Sequence, residues 1–163
     1  MIEIQAPNKK ELWNTCETVF LAGSIEMGKA DNWQQRFMQA IEHLSVTVFN
    51  PRRDDWDSSW VQSIDNPQFA EQVNWELDHI TRAENVVFYF DPNTQSPITL
   101  MELGWVAALP KIARGWPYSR RRVYVCCPPG FWRKGNVDIM CQRMGIPVVE
   151  TLEALIEEFV KEE

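Results

Sequence analysis

Short apolar runs and segments with helical periodicity alternate along the whole chain. The apolar runs predict five strands, at residues 18–22, 46–49, 85–90, 122–127 and 147–149. Apolar positions at helical spacing predict helices at residues 32–44, 67–82, 98–109 and 136–144, and a last helix that begins after Thr151. Asp31 is the predicted cap of the first helix. Strands that alternate with helices indicate a parallel sheet with helices on both faces, a three-layer α/β/α fold.

No repeat or low-complexity linker interrupts this alternation, so we expect a single domain over residues 1–163. Ligands of open parallel sheets bind beyond the carboxyl ends of the strands, near a change in strand order. The segments that reach this edge of the predicted sheet are residues 22–30, 50–60, 91–104 and 128–138.

Composition narrows the class of partner. The chain carries a formal net charge of −7, which argues against binding duplex nucleic acid or an anionic membrane through a broad basic face. Its four cysteines form no CxxC pair and it has only two histidines, so we predict no metal site and no cofactor. Charged residues precede any apolar run, and no run approaches the roughly 18 residues of a membrane span. We therefore expect a cytoplasmic protein.

The loop after the first predicted strand nearly fits a phosphate-binding motif. Residues 23–30, GSIEMGKA, depart from GxxxxGK[ST] at Ala30, which lacks the hydroxyl that ligates Mg²⁺. Glu26 adds a carboxylate where polyphosphate would lie, and Asp31 follows in place of a continuing helix. Asp91, after the third strand, resembles the acidic partner of such sites. An ATP-dependent phosphotransferase is therefore an alternative, and the simpler interpretation is that Gly23 and Ser24 approach a ligand directly.

Two carboxylates occupy apolar helical surroundings. Glu76 lies on the stripe formed by Val73 and Ile80, so its carboxyl must be desolvated, paired, in a cleft or extended outward at a rim. Glu102 lies between Met101 and Leu103 in a helix that follows the third strand, where the helix N-terminus favours the ionised carboxylate. The alternative for Glu102 is a carboxylate that caps the helix or pairs with a cation. Two carboxylates facing one crevice indicate cleavage of a glycosidic bond, one as nucleophile and the other as proton donor.

Four segments resemble the nucleoside 2-deoxyribosyltransferase-like family. They are FLAGSI at residues 20–25, NPRRDDW at residues 50–56, SPITLMELG at residues 96–104 and GNVD at residues 135–138. The resemblance implies a flavodoxin-like sheet of five strands and a double-displacement mechanism. It implies that Glu102 is the nucleophile and that Glu76, where relatives usually carry Asp, assists departure of the base. It also implies a homodimer or an assembly of dimers, in which Asn136 and Asp138 reach the neighbouring subunit's site.

Two positions depart from the family pattern. Relatives often hold the nucleophile with a tyrosine where this chain has Phe20, so a backbone amide or Ser24 is expected to orient Glu102. Ser96 stands where transferases commonly have an acidic residue. In related hydrolases of nucleoside 5′-monophosphates, serines at positions like Ser24 and Ser96 bind phosphate.

The loop after the second strand supplies candidates for base recognition. Trp56 and Trp60 alternate with aspartates, including Asp55, and their rings are suited either to stacking on a nucleobase or to covering the end of the sheet. Arg52 and Arg53 are expected to pair with those aspartates or to bind a phosphate.

The sequence thus predicts a nucleoside 2-deoxyribosyltransferase acting on small nucleosides and free bases. A nucleoside 5′-monophosphate hydrolase with the same nucleophile is the close alternative. A non-catalytic nucleotide-binding module is a third.

Overall fold

A computed structural model describes residues 1–8, 17–25, 30–53, 55–57, 59–112 and 121–162. Within these ranges the chain forms strands β1 Ile2–Gln5, β2 Glu17–Gly23, β3 Val46–Asn50, β4 Asn85–Tyr89, β5 Arg122–Cys126 and β6 Val148–Val149. Its helices are α1 Trp33–Ala40, α2 Pro67–Arg82, α3 Pro97–Ile112, α4 Lys134–Met144 and α5 Leu152–Lys161. None of the helices in the described ranges has both the length and the apolar character needed to cross a bilayer.

All strands run parallel, in the spatial order β1-β3-β2-β4-β5-β6. From β2 the chain proceeds first to β3 on one side and then to β4 on the other, so strand order reverses between β2 and β4. Without β1 this is the flavodoxin-like order, whose ligand site lies at the reversal. The predicted three-layer α/β/α fold is therefore confirmed.

The sheet has six strands rather than the predicted five, because β1 adds to the edge beside β3. An edge strand of four residues needs only a few apolar side chains, and here Ile4 is buried whereas Ile2 is 44% exposed. Such a short mixture of apolar and charged residues does not stand out as a strand in the sequence.

The first helix is shorter than predicted and has a different cap. It ends at Ala40, and Asn32 rather than Asp31 is the N-cap, since the Asn32 side chain accepts from the backbone N–H of Gln35 at 3.2 Å. Thr151, the residue predicted to precede the last helix, is its N-cap, since the Thr151 side chain accepts from the N–H of Ala154 at 3.1 Å.

Alternate residues of each central strand enter different apolar cores, as the strand period of two requires. On one face, Leu21 and Val87 join Phe37 of α1 and Phe159 of α5. On the other face, the core combines strand residues with the inner sides of α2, α3 and α4, and includes Phe20, Phe88, Trp75, Leu103 and Val137. Because α2 and α3 share a face of the sheet, Glu76 and Glu102 lie on the same side.

Gly23 ends β2 at the position where the chain turns toward the loop edge. A Cβ atom there would lie 2.5 Å from Cζ2 of Trp33 and 2.7 Å from the carbonyl oxygen of Tyr89. The absence of a side chain therefore allows the Trp33 ring and the β4 backbone to close on this strand end.

We expect Gly23→Ala to lower the free energy of unfolding by about 1–3 kcal/mol, because the methyl group would overlap a buried ring and a backbone carbonyl. Urea unfolding followed by tryptophan fluorescence measures the change. Gly135→Ala is the matched control, since a Cβ at Gly135 meets no atom within 4 Å. Equal unfolding midpoints for the two variants would contradict this interpretation of Gly23.

Candidate active site

The candidate residues gather at the carboxyl edge of the sheet around the reversal between β2 and β4. Strand β2 leads directly into Ser24, whose backbone N–H donates to the carbonyl oxygen of Tyr89 at 3.0 Å. Strand β4 leads through a short loop into α3, which carries Glu102 in its second turn. Helix α2 brings Glu76 to the same side.

Glu102 is a nearly buried carboxyl without a polar partner. Its residue is 7% exposed, and among the described residues it makes neither a hydrogen bond nor an ion pair. Burial raises the pKa of Glu102 to about 8, and repulsion from Glu76 adds to that rise. The helix N-terminus was expected to keep this group ionised. Burial opposes that preference, because the loss of hydration outweighs the helix dipole, which weakens beyond the first turn.

Glu76 is half-buried and is held by one hydrogen bond. The side-chain amide of Gln72 donates to Oε1 of Glu76 at 2.8 Å. Burial raises the pKa of Glu76 to about 7, and the Gln72 hydrogen bond opposes this rise. Glu76 therefore does not extend freely into solvent at a rim, and its charge is close enough to affect Glu102.

The two carboxyl groups titrate as a coupled pair. Like charges in a desolvated space cannot both ionise easily, so the pair keeps a proton to higher pH than two separate carboxyls would. The Glu102 carboxyl is desolvated and repelled by Glu76, whereas the hydrogen bond from Gln72 opposes the rise in the pKa of Glu76, so a proton on the pair favours Glu102. The arrangement therefore favours one carboxylate beside one carboxylic acid over two carboxylates.

Ser24 and Ser96 meet in a buried cluster of three hydroxyls that Thr94 completes. The Ser24 and Ser96 hydroxyl oxygens are 2.5 Å apart, and the Thr94 hydroxyl lies 2.8 Å from each. The backbone N–H of Asp91 also donates to the Ser24 hydroxyl at 2.9 Å. The cluster ties the end of β2 to the loop before α3.

This cluster changes two expectations. Ser24 bonds to Ser96, Thr94 and Asp91 and not to Glu102, so of the two expected ways to orient Glu102, a backbone amide or Ser24, the hydroxyl of Ser24 is not seen in that role. Ser96 has a φ of 47°, a left-handed conformation that costs a non-glycine residue about 1–2 kcal/mol. Its bonds to neighbouring hydroxyls fix that conformation directly before the first residue of α3.

Arg53 organises the loop that follows β3. Its guanidinium pairs in a bidentate manner with Asp55 at 2.6 and 2.8 Å, and its carbon Cζ lies 5.1 Å from the ring centre of Trp60. The pair holds the pKa of Asp55 below its usual range, chiefly through the hydrogen bond from Arg53. Asp55 is thus engaged by an arginine, and its side chain is mostly exposed.

Trp56 and Trp60 pack edge to face with ring centres 5.1 Å apart. The indole Nε1 of Trp56 is buried and has no hydrogen-bond partner among the described residues. Buried donors are rarely left without an acceptor, so this N–H is suited to an acceptor atom of a ligand.

Among the described residues, Arg52 bonds to backbone carbonyls and to the Gln34 side chain rather than to an aspartate. Its guanidinium donates to the carbonyl oxygens of Ala30 and Asp31 at 3.2 and 3.3 Å. The core of the phosphate-loop-like motif, residues 26–29, and Asp54 lie outside the described residues.

Asn136 and Asp138 lie on α4, and no hydrogen bond in the described part of the chain joins them to Glu76 or Glu102. Asn136 is exposed, and Asp138 pairs with Lys134 of the same helix at 3.1 Å. Their predicted contact with a neighbouring subunit stays a prediction. Gly104 faces α4, since a Cβ there would lie 4.0 Å from the Met140 side chain.

In the described part of the chain, no three acidic, histidine or cysteine side chains form a metal-binding group.

The sequence did not point to two residues of this site, Gln72 and Thr94. Gln72 precedes Glu76 by one helical turn and is 3% exposed. An amide on the buried side of a helix, four residues from a carboxylate, is a recognisable signal. Thr94 had no comparable signal, because its contacts depend on how the loop folds.

A family model described as nucleoside 2-deoxyribosyltransferase like matches residues 16–131. The match includes Glu76, Glu102 and the hydroxyl cluster, and ends before α4. A search of curated proteins found no significant match.

We expect Glu102→Gln to make the protein progressively more stable than wild type as pH rises. Between about pH 4.5 and 8 the unfolded chain releases the Glu102 proton while the folded protein keeps it. Wild type therefore loses up to about 1.4 kcal/mol per pH unit in this window, and the neutral amide does not. Urea unfolding from pH 4 to 9 measures the difference.

The control for this pH series is Glu157→Gln, which makes the same change at an exposed position of α5. It should track wild type at every pH. A stability difference between Glu102→Gln and wild type that stays constant across the series would contradict the raised pKa.

Proposed function

Because the chain belongs to the nucleoside 2-deoxyribosyltransferase-like family, we propose that it cleaves the N-glycosidic bond of a 2′-deoxynucleoside and transfers the deoxyribose to another nucleobase. The observation that carries the proposal is the Glu102 carboxyl, which has no polar partner among the described residues and is repelled by a second carboxyl, that of Glu76. A carboxylate without a hydrogen-bonded partner keeps its lone pairs for an electrophilic carbon.

In the first half-reaction, a Glu102 oxygen attacks C1′ of the bound nucleoside. The bond between C1′ and the base nitrogen breaks, and the base takes its electron pair and the proton of Glu76. A glycosyl ester of Glu102 and a free base result. The sugar's developing positive charge favours the ionised form of Glu102, so binding shifts the shared proton toward Glu76.

In the second half-reaction, Glu76 acts as the base. It accepts the proton of an incoming nucleobase, whose nitrogen attacks C1′ and displaces the Glu102 carboxylate. Two displacements at the same carbon retain its configuration. The presence of two carboxyls supports this cycle, because Glu76 can give and take the proton while Glu102 holds the sugar.

We assign the nucleobase to the loop after β3. Nε1 of Trp56, which has no acceptor in the described part of the chain, offers a donor to a ring nitrogen or carbonyl of the base, and the Trp60 face adds stacking surface. Gly23 and Ser24 then border the sugar. In this assignment Asp55 acts through Arg53, which it fixes beneath the Trp60 ring.

A second candidate, hydrolysis of nucleoside 5′-monophosphates, is favoured by one observation. Ser24 and Ser96, with Thr94, place three hydroxyls directly before the N-terminus of α3, a location that suits a phosphate. Their bonds to one another would have to be exchanged for bonds to phosphate. We favour transfer, because in the described structure these hydroxyls already satisfy one another and the backbone.

The two activities differ in their products. We expect the protein to convert a 2′-deoxynucleoside and a different free base into the exchanged nucleoside and the released base. Chromatography of the reaction mixture measures both products. Glu102→Gln should lower this exchange by roughly 10³-fold or more, because it removes the nucleophile. Glu157→Gln should leave it unchanged.

The same assay with a 2′-deoxynucleoside 5′-monophosphate and no acceptor base tests hydrolysis. If free sugar phosphate forms faster than exchanged nucleoside does, hydrolysis and not transfer is the activity of the protein. Binding of nucleosides without any base release would instead identify a non-catalytic module. Full exchange activity in Glu102→Gln would exclude the proposed nucleophile.

A homodimer or an assembly of dimers is the proposed working form. Asn136 and Asp138 are assigned to the neighbouring subunit's sugar site, and both lie on the outer part of α4 that the family match does not cover. The exposed side chains of Ile139 and Met140 on the same helix add apolar surface for such a contact.

A further inference from the structure

Gln72 connects three parts of the site through its side-chain amide. Its Nε2 donates to Oε1 of Glu76 at 2.8 Å and to the carbonyl oxygen of Pro51 at 2.9 Å. Its Oε1 accepts from the guanidinium of Arg53 at 3.4 Å. The residue is buried, at 3% exposure, so water does not compete for these contacts.

The orientation of this amide follows from its partners. A carbonyl oxygen at Pro51 requires a donor, and a guanidinium at Arg53 requires an acceptor. A flipped amide would place two oxygens together at Pro51 and two donors together at Arg53. The Gln72 NH₂ group therefore points to Glu76, with one hydrogen for Pro51 and one for the carboxyl.

We propose that Gln72 is a positioning residue, which holds Oε1 of Glu76 as a hydrogen-bond acceptor so that the exchangeable proton resides on Oε2. An oxygen that already accepts a short hydrogen bond is the poorer site for a proton. Among the described residues, Glu76 makes no other hydrogen bond, so Oε2 keeps its proton for a ligand. The assignment of that ligand as a leaving nucleobase rests on the proposed function.

The Gln72 contact also favours the product of proton transfer. Once Oε2 gives up its proton, Glu76 is a carboxylate, and a donated N–H stabilises the carboxylate more than the acid. The other charged groups around it are Glu102 of α3, which repels that carboxylate, and Arg53 of the β3–α2 loop, which reaches it through Gln72. Gln72 thus offsets part of the repulsion that Glu102 exerts.

Gln72→Met tests this role, because methionine has similar length and no donor. We expect the carboxyl of Glu76 to titrate at higher pH by on the order of one unit. Carbon-detected NMR of glutamate labelled at Cδ, with Glu76→Gln to identify the signal, measures this without any assay of activity. The pH optimum of base exchange should move upward with it, and kcat should fall by about tenfold or more because the acid is less well held.

Gln72→Glu provides an independent variant, since it keeps an acceptor for Arg53 and replaces the donor by a like charge. It should raise the Glu76 titration further than Gln72→Met does. Gln68→Met is the matched control, because it makes the same change one turn earlier on α2 at an exposed position. It should leave the titration and the pH optimum unchanged.

An unshifted Glu76 titration in both Gln72 variants, with folding confirmed by thermal unfolding, would overturn the proposal. If the Gln72 variants are less active but keep the pH optimum of wild type, Gln72 contributes only packing and does not position Glu76. If wild type releases no base, the proposed function fails while the NMR titration still decides whether Gln72 positions Glu76.

Discussion

Two desolvated carboxyl groups lie on one side of the sheet at the reversal of strand order, and burial raises the pKa of both. Repulsion by Glu76 raises the pKa of Glu102 further, because two ionised groups would repel strongly. The pair therefore keeps a proton to higher pH than exposed carboxyls do, and this is the basis of the complementary roles proposed for Glu102 and Glu76. Burying the Glu102 carboxyl lowers the stability of the folded protein, and the two apolar cores around the sheet offset that loss.

The rest of the edge holds these groups in place from both sides. On one side, the hydroxyls of Ser24, Thr94 and Ser96 fix the loop before α3, the helix that carries Glu102. On the other side, Gln72 links Glu76 to the backbone after β3. None of the hydrogen bonds of these two sets involves the Glu102 carboxyl, so Glu102 is positioned by its helix whereas Glu76 is also held by a hydrogen bond.

Sequence pattern was sufficient for the elements whose signal is local. The predicted bounds of α2 match the structure, and the position of Glu76 on an apolar helical stripe predicted the desolvated, hydrogen-bonded carboxyl that the structure shows. Features that depend on tertiary contacts were not accessible. Asp31 and Asn32 are both capping residues, and only the backbone geometry selects Asn32. Likewise the hydrogen bonds from Ser24 to Thr94 and Ser96 join residues about 70 positions apart. The sequence therefore suggested that Ser24 and Ser96 are available to phosphate and did not show that they bond to one another.

The most direct measurement of the central claim is capture of the glycosyl ester. Wild-type protein is mixed with a 2′-fluorinated nucleoside, whose electron-withdrawing fluorine slows breakdown of the ester, and quenched in acid without an acceptor base. We expect intact mass spectrometry to show one added fluorinated sugar per chain, and peptide mapping to locate it on Glu102, with no such adduct in Glu102→Gln. Release of base without an adduct, or an adduct on another residue, would contradict the assignment of Glu102 as the nucleophile.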